Sequence, residues 1–306
     1  MDVLSELLDG VRARGALFRQ TIIDQSWSLN FPGGSPLTLA TMVRGRAWIV
    51  PAEGARVPVG TGDIALIRGR ASYTLTDDPV ADPVTDEPAA PPQVATVDAA
   101  EGGLPADDGS ALLFSGAYTG QGEISERLLK VLPEVLVLPD TDCRGPLLDL
   151  LVDEVLGDRP GQQVMRDRML DLMLVTTLRI WFDRSEAHAP GWYRALADPV
   201  AGQALSLLHG DPAHPWTVAE LAAGTGVSRA ALARRFTAQV GEPPMAYLAS
   251  WRIDLAADLL RETDATVGSI ARRVGYANTF ALSVAFKRLR GITPTEHRAA
   301  APERPA

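Results

Sequence analysis

The sequence predicts an α+β protein of two domains, a small β-barrel with attached helices followed by an all-helical domain. Three observations predict this class. Residues 16–76 contain short apolar runs with a period of two, which is typical of strands. Residues 125–184 have the apolar spacing of helices, and residues 217–298 contain a duplicated helical motif. A chain of 306 residues also has the length of about two ordinary domains.

The duplicated motif is the strongest signal in the chain. Its first half recurs after 49 residues and its second half after 50. The matched pairs are Thr217 and Thr266, Leu221 and Ile270, Ala222 and Ala271, Gly226 and Gly275, Ser228 and Asn278, Phe236 and Phe286, Gly241 and Gly291, and Pro244 and Pro294. Recurrence at so many positions favours a repeated structural unit over two unrelated helical hairpins.

Each copy has the features of a helix-turn-helix unit. The glycine permits the positive φ of a tight turn, and Ser228 or Asn278 caps the second helix. Phe236 or Phe286 then packs that helix on the core. Between the copies, a helix of about 17 residues from Pro244 would be about 26 Å long. With the width of the hairpins added, it could hold the two second helices about one DNA turn apart, ~34 Å.

The charge is divided unevenly along the chain. The whole sequence has a net charge of −9, but residues 199–306 carry 12 basic and 9 acidic side chains, a net of +3. Residues 1–198 therefore carry a net charge of −12. A mildly basic C-terminal domain is compatible with a nucleic-acid partner, particularly in a dimer.

The N-terminal part predicts a short helix within residues 2–14 and then a small barrel or sandwich. Residues 111–114 return the chain to this barrel, and Tyr118 closes that strand. Between them, residues 77–110 are dominated by Asp, Pro, Ala and Gly and contain few large apolar side chains. This composition predicts a mobile loop.

Helices are expected at residues 125–132, 146–156 and 162–181. The second and third are apolar over more than one face, whereas a surface helix needs only one. This excess indicates either a helix-to-helix dimer seam or packing of both faces inside one subunit. A linker over residues 185–198 would then separate a domain at residues 1–184 from a helical domain at residues 199–306.

Catalytic chemistry has little support in the sequence. All four histidines lie downstream of the predicted strands, which leaves Glu53 and Asp63 as acids near turns of the barrel. Two acids do not make a catalytic metal site, so we expect neither a metal nor another cofactor. No nucleophile elbow, phosphate loop or dinucleotide fingerprint occurs. The chain is therefore predicted not to be an enzyme.

The chain also contains no apolar run near the ~18 residues of a transmembrane helix. Its first ten residues lack the basic start of a signal peptide. Cys143 is the single cysteine, so an internal disulfide is excluded. We therefore expect a cytoplasmic protein without membrane contact. Cys143 is a candidate oxidant sensor, although no second cysteine is present to resolve it.

An apolar pocket inside the barrel could bind a small molecule. Its candidate lining residues are Trp27, Phe31, Trp48, Tyr73, Phe114 and Tyr118, all of which could instead be ordinary core. Arg44 or Arg46 could face an anionic ligand, or lie in water at a turn.

The stretch from Trp216 to Arg298 resembles the AraC/XylS family of bacterial transcription regulators. The resemblance is carried by residues 226–236, 241–244, 251–252, 274–276 and 285–288, which read GVSRAALARRF, GEPP, WR, VGY and AFKR. Residues 15–18, 44–48 and 62–63 look like the cupin-type sensor domain of one subgroup. The family implies a sensor barrel, dimerising helices and a DNA-binding domain with two helix-turn-helix units.

The resemblance also implies DNA contacts residue by residue. The base-edge readers would be Ala230, Ala233 and Arg234 in the first unit and Thr279, Phe280, Ser283 and Val284 in the second. Phosphate contacts would be made by Arg229, Arg252, Lys287 and Arg288, each of which could also be a plain surface charge.

Two departures from the family pattern concern the second unit. Val284 stands where the family often has arginine, and His297 stands where a tyrosine is usual in the closing Pro-x-x-Tyr-Arg. Arg234 can donate two hydrogen bonds to a guanine, whereas Val284 cannot donate any. The first unit is therefore expected to provide more of the sequence discrimination.

Together these features predict a cytoplasmic, homodimeric regulator that binds double-stranded DNA and senses a small-molecule effector. RNA polymerase is a further candidate partner. Two other functions remain open, namely a metal-free cupin enzyme whose helical tail binds a partner, and a constitutive DNA binder whose barrel only dimerises.

Overall fold

The computed structural model describes residues 3–9, 19–23, 27–78, 80, 111–118, 122–143, 150, 154, 160–184 and 189–300. The chain divides into two compact units. The β-rich unit contains residues 11–121 and 129–184, and the helical unit contains residues 1–10, 122–128 and 185–306. Strands and helices are thus largely segregated, which confirms the predicted α+β class. Among the described residues, no helix is long and apolar enough to cross a membrane.

The β-rich unit contains two antiparallel sheets. Its strands are β1 (Arg19–Ile23), β2 (Ser28–Phe31), β3 (Leu37–Arg44), β4 (Ala47–Pro51), β5 (Val57–Val59), β6 (Ile64–Arg68), β7 (Tyr73–Thr76), β8 (Ala111–Tyr118) and β9 (Val135–Leu138). One sheet has the order β1-β8-β3-β6-β9 and the other the order β2-β7-β4-β5. The core of this unit contains side chains from both sheets, including Met42 and Ile67 from the first and Ile49 and Leu75 from the second.

The outer face of the first sheet is covered by the longest helix. The helices described before residue 185 are α1 (Val3–Asp9), α2 (Glu123–Leu129), α3 (Asp140–Cys143) and α4 (Gln162–Arg184), of which α4 is the longest. The hydroxyl of Tyr118 on β8 donates to the carbonyl of Leu170 on α4 over 2.7 Å. A Cβ atom at Gly116 would lie 2.6 Å from Leu170 Cδ1, so glycine at this position permits the close approach of strand and helix.

Helix α4 is buried on one side and partly apolar on the other. Met169, Met173 and Phe182 are among its buried residues, whereas Val164 and Leu172 are 64% and 52% exposed. Some of the apolar side chains of this helix are therefore not covered by the described residues of one chain. Two predicted segments lie mostly outside the described residues. They are the helix at residues 146–156 and the loop at residues 77–110, of which only residues 77, 78 and 80 are described.

Within residues 189–300, the helical unit contains eight further helices. They are α5 (Gly191–Leu196), α6 (Ala201–Gly210), α7 (Val218–Gly224), α8 (Arg229–Val240), α9 (Pro244–Glu262), α10 (Val267–Arg273), α11 (Thr279–Arg290) and α12 (Pro294–Ala299). Helix α5 falls within the segment predicted to be a linker, and belongs to this unit.

The duplicated sequence forms two helix-turn-helix units with matching local structure. In the first, α7 and α8 are joined through Gly226, and in the second, α10 and α11 are joined through Gly275. Ser228 Oγ accepts from the backbone N–H of Ala231, and Asn278 Oδ1 accepts from that of Ala281. Each second helix then ends at a glycine in the left-handed conformation. The sequence repeat is therefore a repeat of caps and turns, as predicted.

Helix α9 joins the two units and contributes to both cores. Its first half buries Tyr247, whose ring packs edge-on against Phe236 of α8 with centroids 5.9 Å apart. Its second half buries Ile253 and Leu260 in a cluster with Phe286 of α11. With 19 residues, α9 is about 28 Å long at ~1.5 Å per residue. One continuous helix thus fixes the two units relative to each other.

Two segments from the N-terminal part of the sequence belong to the helical unit, contrary to the predicted domain division. Helix α1 buries Leu4 and Leu7, and Glu6 Oε2 lies 2.5 Å from Nδ1 of His209 on α6. The other ring nitrogen of His209 lies 2.7 Å from the hydroxyl of Tyr247. Helix α2 packs against α9. Hydrophobic spacing alone could not indicate which unit these short helices join.

The two turn glycines provide a prediction about stability. Gly226 and Gly275 have φ values of +70° and +85°, so alanine at either position is strained, at a cost of about 1–2 kcal/mol. A Cβ at Gly275 would also lie 2.7 Å from the carbonyl oxygen of Ala213, whereas no atom lies within 4 Å of one at Gly226. We expect Gly275→Ala to lower the free energy of unfolding more than Gly226→Ala.

Urea unfolding of the full chain, followed by far-ultraviolet circular dichroism, measures this difference. Because both variants share the backbone strain, Gly226→Ala is the matched control for the additional clash. Equal losses of stability would show that the contact with the Ala213 carbonyl is relieved at no cost.

Candidate nucleic-acid interface and barrel cavity

Helix α8 has a buried side and an exposed side. Leu232 and Phe236 are fully buried and attach the helix to the core. Ala230 and Arg234, four residues apart and therefore on one side of the helix, are exposed, and Ala233 beside them is half-buried. The three residues assigned to base contacts by family resemblance thus form one strip along the exposed side.

Helix α11 has the same arrangement with different chemistry. Leu282 and Phe286 are buried, and Thr279 is exposed beside a half-buried Ser283. Two large apolar side chains also lie on the exposed side, with Phe280 77% exposed and Val284 53% exposed. Exposed apolar side chains at adjacent turns of one helix indicate an interaction surface. Apolar groups of this kind can contact the methyl group of thymine.

Cationic side chains lie beside both strips. Arg229 and Arg234 are exposed on α8, and Lys287 and Arg288 are exposed near the end of α11. The structure adds two exposed cations at the end of α10, namely Arg272 and Arg273. Sequence reasoning did not assign these two, although an Arg-Arg pair just before the turn glycine of a helix-turn-helix unit was the available signal.

Arg252 has a different environment from the other predicted phosphate ligands. It is half-buried on α9, where its Nε donates to the Pro212 carbonyl and its Nη2 to the His214 carbonyl, both over 2.7 Å. Its guanidinium also lies 5.9 Å from the centre of the Tyr276 ring. These contacts hold the chain before α7 against α9. Arg252 thus has a structural role in the helical unit, and its predicted phosphate contact stays a prediction.

Two further arginines near the strips form ion pairs within the helical unit. Arg235 Nε lies 2.7 Å from Asp198 Oδ2, and Arg290 Nη2 lies 2.8 Å from Asp254 Oδ1. Arg234 and Arg235 of α8 are thus both exposed, but Arg235 is paired with an acidic side chain. Part of the positive charge of this domain is therefore balanced by acidic side chains of the same unit.

The β-rich unit contains a cleft of about 210 Å³. It lies between the two sheets near the turns that precede β3 and β7. The cleft has no charged side chain in its lining, which consists of Phe31, Pro32, Gly33, Gly34, Ser35, Thr38, Gly69, Ala71, Tyr73, Ser115 and Ala117. Its volume exceeds the ~150 Å³ of an apolar cavity that holds benzene, and is below the ~300 Å³ at which pockets for drug-sized ligands begin.

An aromatic pair and buried hydroxyl groups define the chemistry of this cleft. The rings of Phe31 and Tyr73 are stacked with centroids 4.9 Å apart and planes at 5°. Burial raises the pKa of the Tyr73 hydroxyl to about 12, so it is neutral and can donate at physiological pH. The nearby Thr38 side chain opposes this rise in pKa, although the two groups do not meet the geometry of a hydrogen bond. The Tyr73 hydroxyl has no hydrogen-bond partner among the described residues. The hydroxyl of Ser115 is a further polar group in the lining.

The other predicted pocket residues lie elsewhere in the β-rich unit. Phe114 and Tyr118 are buried on β8, where Tyr118 bonds to α4, and neither lines the cleft. Trp27 is buried in the core, and Trp48 is half-buried on β4. Arg44 is half-buried at the end of β3, and also does not line the cleft.

The described residues contain no group of three or more His, Cys, Asp or Glu side chains that could hold a metal ion. The carboxylate of Asp63 accepts from the backbone N–H groups of Gly60 and Asp140, both over 2.8 Å, and so stabilises a turn. Glu53 is exposed. Cys143 ends α3, but its side chain lies outside the described part of the chain, so its predicted sensor role stays a prediction.

Comparison with known proteins gives two family matches. Residues 2–183 match the family described as Cupin, and residues 221–300 match the family described as Helix-turn-helix domain. The two matches cover, respectively, the region of the cleft and the region of the two exposed strips.

Full-length relatives are similar to the chain over nearly its whole extent. A putative AraC-like transcription regulator of Streptomyces lividans is 36% identical over 97% of this chain and 98% of its own. A second, from Streptomyces antibioticus, is 35% identical over the same shares. Among solved structures, the DNA-binding domain of AdpA, a global transcriptional factor, in complex with a target DNA is 32% identical over 34% of this chain and 93% of that one, with a TM-score of 0.33.

Proposed function

The chain belongs to the AraC family of DNA-binding transcription regulators with an N-terminal cupin domain, and we propose that it reads two successive major grooves under the control of a small neutral molecule. The observation that carries the DNA-binding mode is the duplication of an exposed reading strip on α8 and α11. Both strips belong to units attached to one helix. Their separation therefore does not depend on a flexible connection.

In this mode the two strips contribute differently to recognition. Arg234 of α8 would donate two hydrogen bonds to guanine O6 and N7, the commonest specific contact in the major groove. Ala230 and Ala233 allow α8 to approach the base edges closely. Phe280 and Val284 of α11 offer apolar contacts that favour thymine methyl groups. We therefore infer a site with a guanine in one groove and thymines in the next.

Phosphate binding is assigned to the exposed cations around the strips. Arg229, Lys287 and Arg288 are predicted from the sequence, and the exposure of Arg272 and Arg273 adds these two to the proposed set. Phosphate contacts position a protein on the duplex without reading its sequence. They also make binding strongly dependent on salt. Arg252 is left out because its Nε and Nη2 groups donate to protein carbonyl groups.

The cleft of the β-rich unit is the proposed effector site. Its uncharged lining disfavours an ionic ligand, because burying an unpaired charge is costly. The stacked pair Phe31 and Tyr73 suits an apolar or aromatic body, and the hydroxyls of Tyr73, Thr38 and Ser115 suit one or two polar substituents. The effector is thus a neutral molecule of about the size of a single substituted ring.

We also infer that the functional form is a homodimer in the cytoplasm that contacts RNA polymerase at its promoters. The exposed apolar residues Val164, Met165 and Leu172 on α4 support a helix-to-helix seam between two copies. Two copies would double the small positive charge of residues 199–306 on one duplex. The polymerase contact rests on the family alone.

Arg234→Ala tests the DNA-reading mode. It should cost about 1–3 kcal/mol on the preferred duplex and relax the base preference at one position, because it removes two hydrogen bonds to one base. Arg235→Ala is the matched control, since this neighbouring arginine is paired with Asp198. Binding of the full chain to a selected duplex and to its single-base variants measures both effects. Equal loss on all sequences would place Arg234 on a phosphate.

Ala117→Leu tests the effector site. Ala117 lines the cleft, so leucine should fill part of its volume and abolish stabilisation by ligands. Ala55→Leu, at an exposed turn position, adds the same atoms outside the cleft and should leave ligand binding intact. A thermal-shift screen of small neutral aromatic compounds on both variants and the wild type makes the comparison. If no compound raises the melting temperature of the wild type, or if the same compounds raise that of Ala117→Leu equally, the cleft is not the effector site.

A further inference from the structure

Helix α2 is an unusual segment because its sequence neighbours on both sides are barrel strands, yet it belongs to the helical unit. It lies on α9, the helix that joins the two reading units. The backbone N–H of Ile124, at the start of α2, donates to Asp258 Oδ2 over 3.2 Å. At the other end, Arg127 Nη1 lies 3.2 Å from Asp254 Oδ2. Because Asp254 precedes Asp258 by one turn, α2 runs antiparallel to α9.

Polar and charged side chains contribute to the contact between α2 and α9. Asp258 is buried beside the start of α2, where a Cβ at Gly122 would lie 3.0 Å from its Oδ2, so glycine allows this close approach. Arg127 also lies 4.8 Å from the centre of the Tyr247 ring and 3.7 Å from Glu242. One arginine thus lies near three side chains, two on α9 and one in the turn before it.

Asp254 links this contact to the second reading helix. Its Oδ2 pairs with Arg127 of α2, and its Oδ1 pairs with Arg290 in the last turn of α11 over 2.8 Å. All three side chains are no more than 21% exposed. Burial raises the pKa of the Asp254 carboxyl, an effect that the two guanidinium groups oppose. Removal of either arginine therefore leaves a largely buried carboxylate with one partner instead of two.

Helix α2 is also close in sequence to the cleft. Ser115 and Ala117, which line the cleft, lie on β8, and β8 ends at Tyr118. Helix α2 begins at Glu123, five residues later. The strand that lines the cleft and the helix that contacts Asp254 and Asp258 are therefore consecutive elements of the chain.

We propose that α2 is the regulatory latch of this protein: docked on Asp254 and Asp258, it holds α9 and α11 in the DNA-binding arrangement, and displacement of β8 releases it. Docking does not cover the reading strips, because Arg234, Phe280 and Val284 are exposed while α2 is docked. The latch acts by pre-organising the second reading helix through Asp254, which reduces the ordering needed on binding. Release of α2 by a ligand rests on the proposed function, in which the cleft is the effector site.

The coupling can be tested without knowledge of the effector. The probe is a duplex selected by the full-length wild-type chain from a random-sequence pool. Arg127→Gln should weaken binding to it by about five-fold or more, in the range of ordinary allosteric couplings. The loss should largely disappear on a duplex whose α11 half-site is scrambled. Arg127→Lys should restore part of the affinity, and Lys130→Gln, an exposed charge just beyond α2, is the matched control.

Hydrogen exchange on the same proteins reports on the latch itself. Because coupling is reciprocal, the selected duplex should slow amide exchange in residues 123–129 of the wild-type chain. Arg127→Gln should accelerate exchange there while α8 and α9 keep their protection, which separates release of α2 from unfolding. If Arg127→Gln binds both duplexes like the wild type and DNA leaves the exchange of α2 unchanged, the latch is refuted. If the wild type selects no duplex, the proposed function itself fails.

Discussion

The continuous helix α9 is the constraint on which the DNA-binding part of the molecule depends. Its first half buries Tyr247 against Phe236 of the first helix-turn-helix unit, and its second half buries Ile253 and Leu260 in the core of the second. Since an α-helix rises ~1.5 Å per residue without adjustable joints, α9 determines both the distance and the rotation between the two units. The Pro at its first turn and the capped ends of the neighbouring helices define where this rigid element begins and ends.

Polar side chains of α9 connect it to the rest of the helical unit. Arg252 holds the chain before α7 through two carbonyl groups, and Asp254 holds Arg127 and Arg290. The closing segment contributes in the same way, because Arg298 of α12 donates to the carbonyls of Leu260 and Ala265. Half-buried charged groups with carbonyl or ionic partners are costly to disrupt. This explains why only some of the arginines in a DNA-binding domain are presented to DNA.

The sequence predicted the parts of this fold that depend on local patterns, and missed those that depend on packing. Caps and turn glycines repeat at fixed spacing, so both helix-turn-helix units could be placed. Most strands could be placed because their apolar residues recur with a period of two between turns. Strand β9, with the short apolar run Val135–Leu138, lacked any alternation and was not predicted. Helix α2 was predicted near its observed position, but its attachment to α9 depends on Arg127 and Asp254, which are distant in sequence. Of the predicted pocket residues, Phe31 and Tyr73 line the cleft, whereas Phe114 and Tyr118 do not. Strand register decides which face a residue takes.

The most direct measurement of the spacing set by α9 is hydroxyl-radical footprinting. It is carried out with the full-length chain on a duplex that this chain has selected, and it gives the distance between the regions contacted by α8 and α11. A fixed α9 predicts two protected regions on one face of the duplex, with centres about 10–10.5 base pairs apart. Each region should contain the bases on which α8 or α11 confers preference. Protection confined to a single groove, or two regions whose separation varies between selected duplexes, would contradict a rigid spacing.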